Sequence, residues 1–366
     1  MNQKQPVVVL GAGHGGKAMA AHLALMGHEV CLWNRTAEHV QVIKARGGIE
    51  LEGKEHGPTG FGELALVTDD ISHALEFANL VMVVVPSSAH GEIAHRAAPF
   101  LRDSHIVILN PGRTLGAIEF DRVIHREGCT SNPLIAEAET LIYASRSDGP
   151  AQARIFSIKE TVPLAALPAT RTKEVLESIH PIYPQFIDGI NVLHTGLNNM
   201  GAIFHPALTL LNAGRIESTR GDFQFYIDGA TPSVARVLEV LDRERVTVAS
   251  SLGIRAQTAQ EWLKMAYDAS GEDLYEAIHN QPGYYGIKAP AVLNHRYITE
   301  DIPMSLVPIA SLGQQYGVSV RGIDAIIRLA CIVHRTDYWR KGRTTENLGI
   351  HQLSVSELTK YVLEGE

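Results

Sequence analysis

Short apolar, mostly β-branched runs alternate with longer stretches of helical spacing through the first half of the chain. The runs at 7–10, 29–33, 64–67, 80–85 and 105–109 predict strands, and the amphipathic stretches between them predict crossover helices. That alternation predicts an α/β domain with a doubly wound parallel sheet. A hairpin-like pair of runs follows at 153–158 and 161–167, then a helix over about 170–179 that leads into Pro181 and Pro184. The first domain is expected to close there, as residues 1–185. Beyond it the strand signal fades, and long helical patterns such as 234–252, 258–267 and 322–333 predict an all-helical C-terminal domain over 186–366. Within it, 271–290 carries Pro282, Gly283, Gly286 and the Tyr284-Tyr285 pair, which predicts an ordered loop.

The first strand runs directly into Gly11-Ala12-Gly13-His14-Gly15-Gly16, followed by a helix of small residues from Lys17. Strand, G-x-G-x-x-G turn and helix in this order are the fingerprint of a Rossmann-type dinucleotide site. Gly11 permits the tight bend, Gly13 lets the backbone approach a pyrophosphate, and Gly16 lets the helix pack close to the sheet. Gly11, Gly13, His14, Gly15 and Gly16 are therefore candidate cofactor contacts. The stretch also satisfies G-x-x-x-x-G-K, but Ala18 stands where a P-loop needs a hydroxyl for magnesium, which argues against a nucleotide-hydrolysing site. The second strand ends at Asn34-Arg35 without the acid that usually accepts from the ribose 2'-hydroxyl of NAD. Arg35 suits a 2'-phosphate, so NADP(H) is the expected preference, with NAD(H) also possible. Pro86, and the Asn110-Pro111-Gly112-Arg113 turn, follow predicted strands at their carboxyl ends, where ligands sit in open sheets of this kind.

Composition narrows the field further. The 366 residues are 45% hydrophobic and 20% charged with a formal net charge of −8, so no basic field favours nucleic acid. Cys31, Cys129 and Cys331 are far apart and read as reduced thiols, and the seventeen histidines form no ligand set, so no metal is expected. No run is long enough to span a membrane and no leader is recognisable, so a cytoplasmic protein is expected.

Asn198, Gly201, His205, Thr209 and Asn212 are spaced by three, four, four and three, which on a continuous helix makes one polar stripe in an apolar element. Pro206 predicts a kink or a helix junction at His205. Two readings stay open from spacing alone: a histidine projecting into a cleft, or an interior histidine ahead of a new helix. The segment His205-Pro206-Ala207-Leu208-Thr209-Leu210-Leu211-Asn212-Ala213-Gly214, together with Asn110-Pro111-Gly112-Arg113 and Tyr297-Ile298-Thr299-Glu300-Asp301-Ile302-Pro303, resembles the octopine/nopaline (opine) dehydrogenase family. The resemblance spans both domains. It implies reductive condensation of an amino acid with a 2-oxo acid, with a His-Asp acid/base pair at His205 and Asp301. From the residues alone, Asp301 before Ile302-Pro303 is also a good helix N-cap. Asn198, Arg113, Arg146 and Arg296 are candidates for holding substrate oxygens or carboxylates. A homodimer is expected from the large apolar helical domain.

Two other functions compete. Glycerol-3-phosphate-type and 2-oxo/hydroxy acid dehydrogenases of similar build use a lysine near the start of the helical domain, but no lysine occurs between Lys173 and Lys264. A non-catalytic dinucleotide sensor would be marked by loss of the His-Asp pair, and both residues are present.

Overall fold

Two sheets form in the computed structural model, which describes residues 4–54 and 57–365. The strands are β1 (Val7–Leu10), β2 (Val30–Trp33), β3 (Gly48–Gly53), β4 (Gly60–Glu63), β5 (Leu66–Thr68), β6 (Leu80–Val83), β7 (Ile106–Leu109), β8 (Leu134–Ala138), β9 (Tyr143–Gly149), β10 (Gln152–Ile158), β11 (Val162–Leu167) and β12 (Phe186–Asp188). The larger sheet has the order β12-β11-β8-β7-β6-β1-β2-β5, and the smaller one β4-β3-β10-β9. From β5 across to β8 every pairing is parallel, while β11 runs antiparallel to β8. β1, β2 and β6 are buried at every position, as a parallel sheet covered on both faces requires.

The first helix, His14–Leu25, packs on strands of both sheets. Its Ala18, Ala20 and Ala21 are fully buried. Small side chains are needed because backbones come close on more than one side. A Cβ added to Gly62 of β4 would lie 2.7 Å from the Ala21 carbonyl oxygen. Lys17 fastens this helix to the β9–β10 turn, donating to the carbonyls of Gly149 at 2.8 Å and Pro150 at 3.2 Å. The lysine that completes a P-loop-like string is thus engaged with protein backbone.

The expected hairpin at 153–158 and 161–167 does not form. β10 pairs with β9 and β3 in the small sheet, whereas β11 crosses to the large sheet and pairs with β8 and β12. By packing, the chain divides into two units. One ends at Thr195 and takes back the chain from Lys360 onward; the other is Gly196–Thr359. The boundary expected after residue 185 therefore falls short, because β12 belongs to the large sheet.

Among the described residues the second unit has no strand beyond an isolated bridge between Gln224 and Lys288. Its helices include Gly201–Leu211, Pro232–Ser251, Ala259–Tyr267 and Arg321–His334. Thr258 and Glu261 form a reciprocal capping box that starts Ala259–Tyr267. The segment expected as a loop over 271–290 contains a short helix, Leu274–His279, capped by Asp273. Arg245, with no exposed surface, is the anchor of the long helix Pro232–Ser251. Its guanidinium pairs with Asp242 at 2.6 Å and also donates to the Leu197 and Gln257 carbonyls, while the other Asp242 oxygen accepts from Ala259 N–H at 2.7 Å.

Candidate active site

The glycine-rich turn is shaped by close contacts on one side and openness on the other. Gly11 has φ +119°, and a Cβ there would lie 2.4 Å from the Val84 carbonyl oxygen; one on Gly16 would lie 1.8 Å from the Gly11 carbonyl oxygen. An added Cβ on Gly13, by contrast, meets nothing within 4 Å. Gly13 N-caps the helix His14–Leu25 without a side-chain cap, and no acid stands in the first turn. A helix N-terminus of this kind, opening beside a glycine, fits a pyrophosphate. His14 and Pro86 are exposed around the turn, and Pro86 follows the Val84-Val85 segment that abuts Gly11.

Asn34, at the end of β2, is tied to the glycine-rich turn. Its Oδ1 accepts from Ala12 N–H at 3.1 Å and its Nδ2 donates to the Thr36 carbonyl at 3.2 Å, so its amide braces the turn against β2. Arg35, 55% exposed, pairs with Glu92 on the helix His90–Ala97. At the carboxyl end of β7, Asn110-Pro111 is a cis peptide, and Arg113 is buried with φ +61°. Two residues there carried no motif. Buried Glu137 on β8 accepts from Ala117 N–H at 2.8 Å and from the Thr195 hydroxyl at 2.7 Å, fixing the start of the helix Gly116–Arg126. Lys159 donates to the Thr140 hydroxyl at 2.6 Å, and burial pushes its ammonium down to about 8, with Glu139 opposing and Arg113 reinforcing the shift.

In the helical unit, the helix Gly201–Leu211 runs unbroken through Pro206. The expected junction at His205 is absent: Pro206 lies inside the helix, at the cost of the one intrahelical donor that its ring removes. Thr209 donates back to the His205 carbonyl at 2.7 Å. His205 Nδ1 lies 2.8 Å from Asp301 Oδ2; the histidine side chain is 16% exposed and the aspartate fully buried. Asp301 does precede the helical turn Ile302–Leu306, but its side chain makes no cap bond there. A carboxylate only accepts, so Nδ1 carries the proton in this pair. Tyr297 stacks on the imidazole with ring centroids 4.1 Å apart and 19° between planes, and Phe225 stacks on Tyr297 at 5.1 Å. Neither was among the residues singled out from the sequence; for Tyr297 the four-residue step to Asp301 was the available signal, and for Phe225 there was none.

The remaining candidates scatter. Asn198 lies outside the helix, so the polar stripe is shorter than expected, and its Oδ1 accepts from Gln257 N–H at 3.0 Å. Asn212 donates to the Leu208 and Gly229 carbonyls at 2.9 and 3.1 Å. Arg146 is exposed on β9 of the small sheet, opposite Arg154, and is not on the parallel sheet that carries the glycine-rich turn. Arg296 adjoins Tyr297, is 56% exposed, and lies 3.8 Å from Glu300. His22 is a structural histidine: it contacts the Tyr143 hydroxyl at 2.8 Å, and burial holds its pKa down at about 4.

No helix among the described residues is long and apolar enough to cross a membrane. Residues 189–334 match the family model of the NAD/NADP octopine/nopaline dehydrogenase α-helical domain, and residues 6–112 match that of the NAD-dependent glycerol-3-phosphate dehydrogenase N-terminus. Among solved structures, an octopine dehydrogenase with NADH and L-arginine superposes with a TM-score of 0.81 at 21% identity, covering 99% of this chain and 98% of its own. A yersinopine dehydrogenase with NADP+ bound gives 0.78 at 14% identity, covering 96% and 99%. An opine dehydrogenase from Arthrobacter sp. (strain 1C) is 38% identical over 362 residues, 99% of this chain and 100% of that one. With that identity sustained from end to end across both the dinucleotide and the helical units, this protein belongs to the opine dehydrogenase family.

Proposed function

We infer that this chain is an NAD(P)H-dependent opine dehydrogenase, joining an amino acid to a 2-oxo acid and reducing the product to a secondary amine. The observation that carries the residue roles is the buried carboxylate of Asp301 on His205 Nδ1. Condensation needs a proton delivered to the oxygen that leaves as water, and the reverse reaction needs it taken back. His205 Nε2 is the group for both, with Asp301 holding the tautomer and stabilising the imidazolium. Tyr297 and Phe225 limit the tilt of the ring by stacking. The bound nicotinamide supplies the hydride. Each substrate brings a carboxylate; Arg113 and Arg296 are the arginines assigned to them, since bidentate pairing suits a guanidinium. Arg35 is assigned to the 2'-phosphate of NADP(H), with NAD(H) also accepted.

The reaction is tested by supplying NADPH or NADH with an oxo acid such as pyruvate, then adding amino acids one at a time. Cofactor oxidation is expected to stay near background until the right amino acid is present, and the product mass is expected to equal the condensed, reduced pair. A hydroxy acid formed at the same rate without any amine would overturn the reading and leave a 2-oxo acid dehydrogenase.

A further inference from the structure

Glu92 lies on the helix His90–Ala97, which follows the Val84-Val85-Pro86 segment beside Gly11. Its two oxygens serve two arginines: Oε2 pairs with Arg35 Nη1, and Oε1 accepts from Arg96 Nε and Nη2, both at 3.1 Å. Arg35 directly follows Asn34, whose amide is tied to the glycine-rich turn through Ala12. In a Rossmann-type site the end of the second strand is where the adenosine ribose presents its 2'-position. A carboxylate is missing from β2 at that position, but one is delivered from a different element and lies on the guanidinium.

We propose that Glu92 is a cofactor-specificity residue, occupying the face of Arg35 that a 2'-phosphate requires and so setting how strongly the enzyme distinguishes NADP(H) from NAD(H). A 2'-phosphate has to displace Glu92 from Arg35 and then sit beside a like charge. A 2'-hydroxyl does neither, and it gains an acceptor. The site therefore holds a counterweight to the arginine, and the preference it expresses is the balance of the two. Arg96 keeps Glu92 in place from the other side, one helical turn along, where an i,i+4 pair is in register. The proposal rests on the assignment of Arg35 to the 2'-position.

The test is a direct titration of NADPH and of NADH, at fixed ionic strength, into the wild-type protein, Glu92→Gln, Arg35→Ala and the double variant. Glutamine keeps the helix and the side-chain length while removing the charge. Glu92→Gln is expected to tighten NADPH about tenfold, the scale for removing one exposed charge a few ångströms from a phosphate dianion, and to change NADH by less than about twofold. In the Arg35→Ala background that gain is expected to shrink to about twofold, because the competition for the guanidinium is gone and only the screened repulsion between Glu92 and the phosphate remains. If Glu92→Gln shifts both cofactors equally, or leaves NADPH unchanged while Arg35→Ala still weakens NADPH selectively, Glu92 loses the role and Arg35 keeps its own. A tenfold gain undiminished without Arg35 shows that the pairing with Arg35 plays no part and overturns the proposal. Equal loss of both cofactors in Arg35→Ala removes the Arg35 assignment and the proposal with it.

Discussion

In a His205→Ala variant, kcat is expected to fall by about 10²- to 10⁴-fold, the usual contribution of a positioned acid/base, with NADH and NADPH affinity near wild type. The imidazole combines partial exposure with a buried carboxylate partner and a stacked ring. Asp301→Asn is expected to be damaging too, because an amide presents both a donor and an acceptor to Nδ1 and cannot neutralise an imidazolium. If the two residues act as a unit, the double variant falls far short of the product of the single losses. Steady-state kinetics with both substrates saturating, alongside cofactor titration, make the measurement. Full turnover in a folded His205→Ala protein would assign the histidine to packing.

Arg245→Ala is expected to lower stability by about 3–5 kcal/mol, the usual cost of leaving one member of a buried ion pair without its partner. The loss exceeds one contact. Asp242 is left in a buried site without its partner, and the Leu197 and Gln257 carbonyls lose the guanidinium that reaches both. Lysine retains the charge but not the planar fork, so Arg245→Lys is expected to recover only part of the difference. Urea denaturation followed by circular dichroism reads this as a lower midpoint. An unfolding free energy for Arg245→Ala within about 1 kcal/mol of wild type would show that the clamp is dispensable.

Much of the dinucleotide unit was legible because its central strands are short, uniformly apolar and separated by helices of ordinary length. The small sheet was not. β3 reads Gly-Ile-Glu-Leu-Glu-Gly and β9 reads Tyr-Ala-Ser-Arg-Ser-Asp-Gly, both with many polar positions on an exposed face, so neither rises above a loop in hydrophobicity alone. The hairpin error had a visible clue. β10 alternates buried and exposed positions at its start, whereas most of β11 is buried, which suits a one-faced and a two-faced sheet respectively. In the helical unit, His205 and Asp301 are 96 residues apart, and only the resemblance of their segments linked them before the geometry did. The stacking of Phe225 and Tyr297 is a tertiary contact that no local spacing encodes. Asn198 was drawn into the stripe by assuming one helix where one helix ends at Leu197 and the next begins at Gly201.

The return of the chain to its first unit from Lys360 onward separates the order of synthesis from the order of completion. The helix Val355–Glu364 begins in one unit and ends in the other, where burial pushes the Tyr361 hydroxyl's pKa up and Asp121 is near enough to add to the shift. On the ribosome, the dinucleotide unit therefore waits for the entire helical unit to emerge before its last segment can dock. A substitution that loosens the segment 360–365 would burden the cofactor-binding unit, not the helical unit that precedes it in sequence.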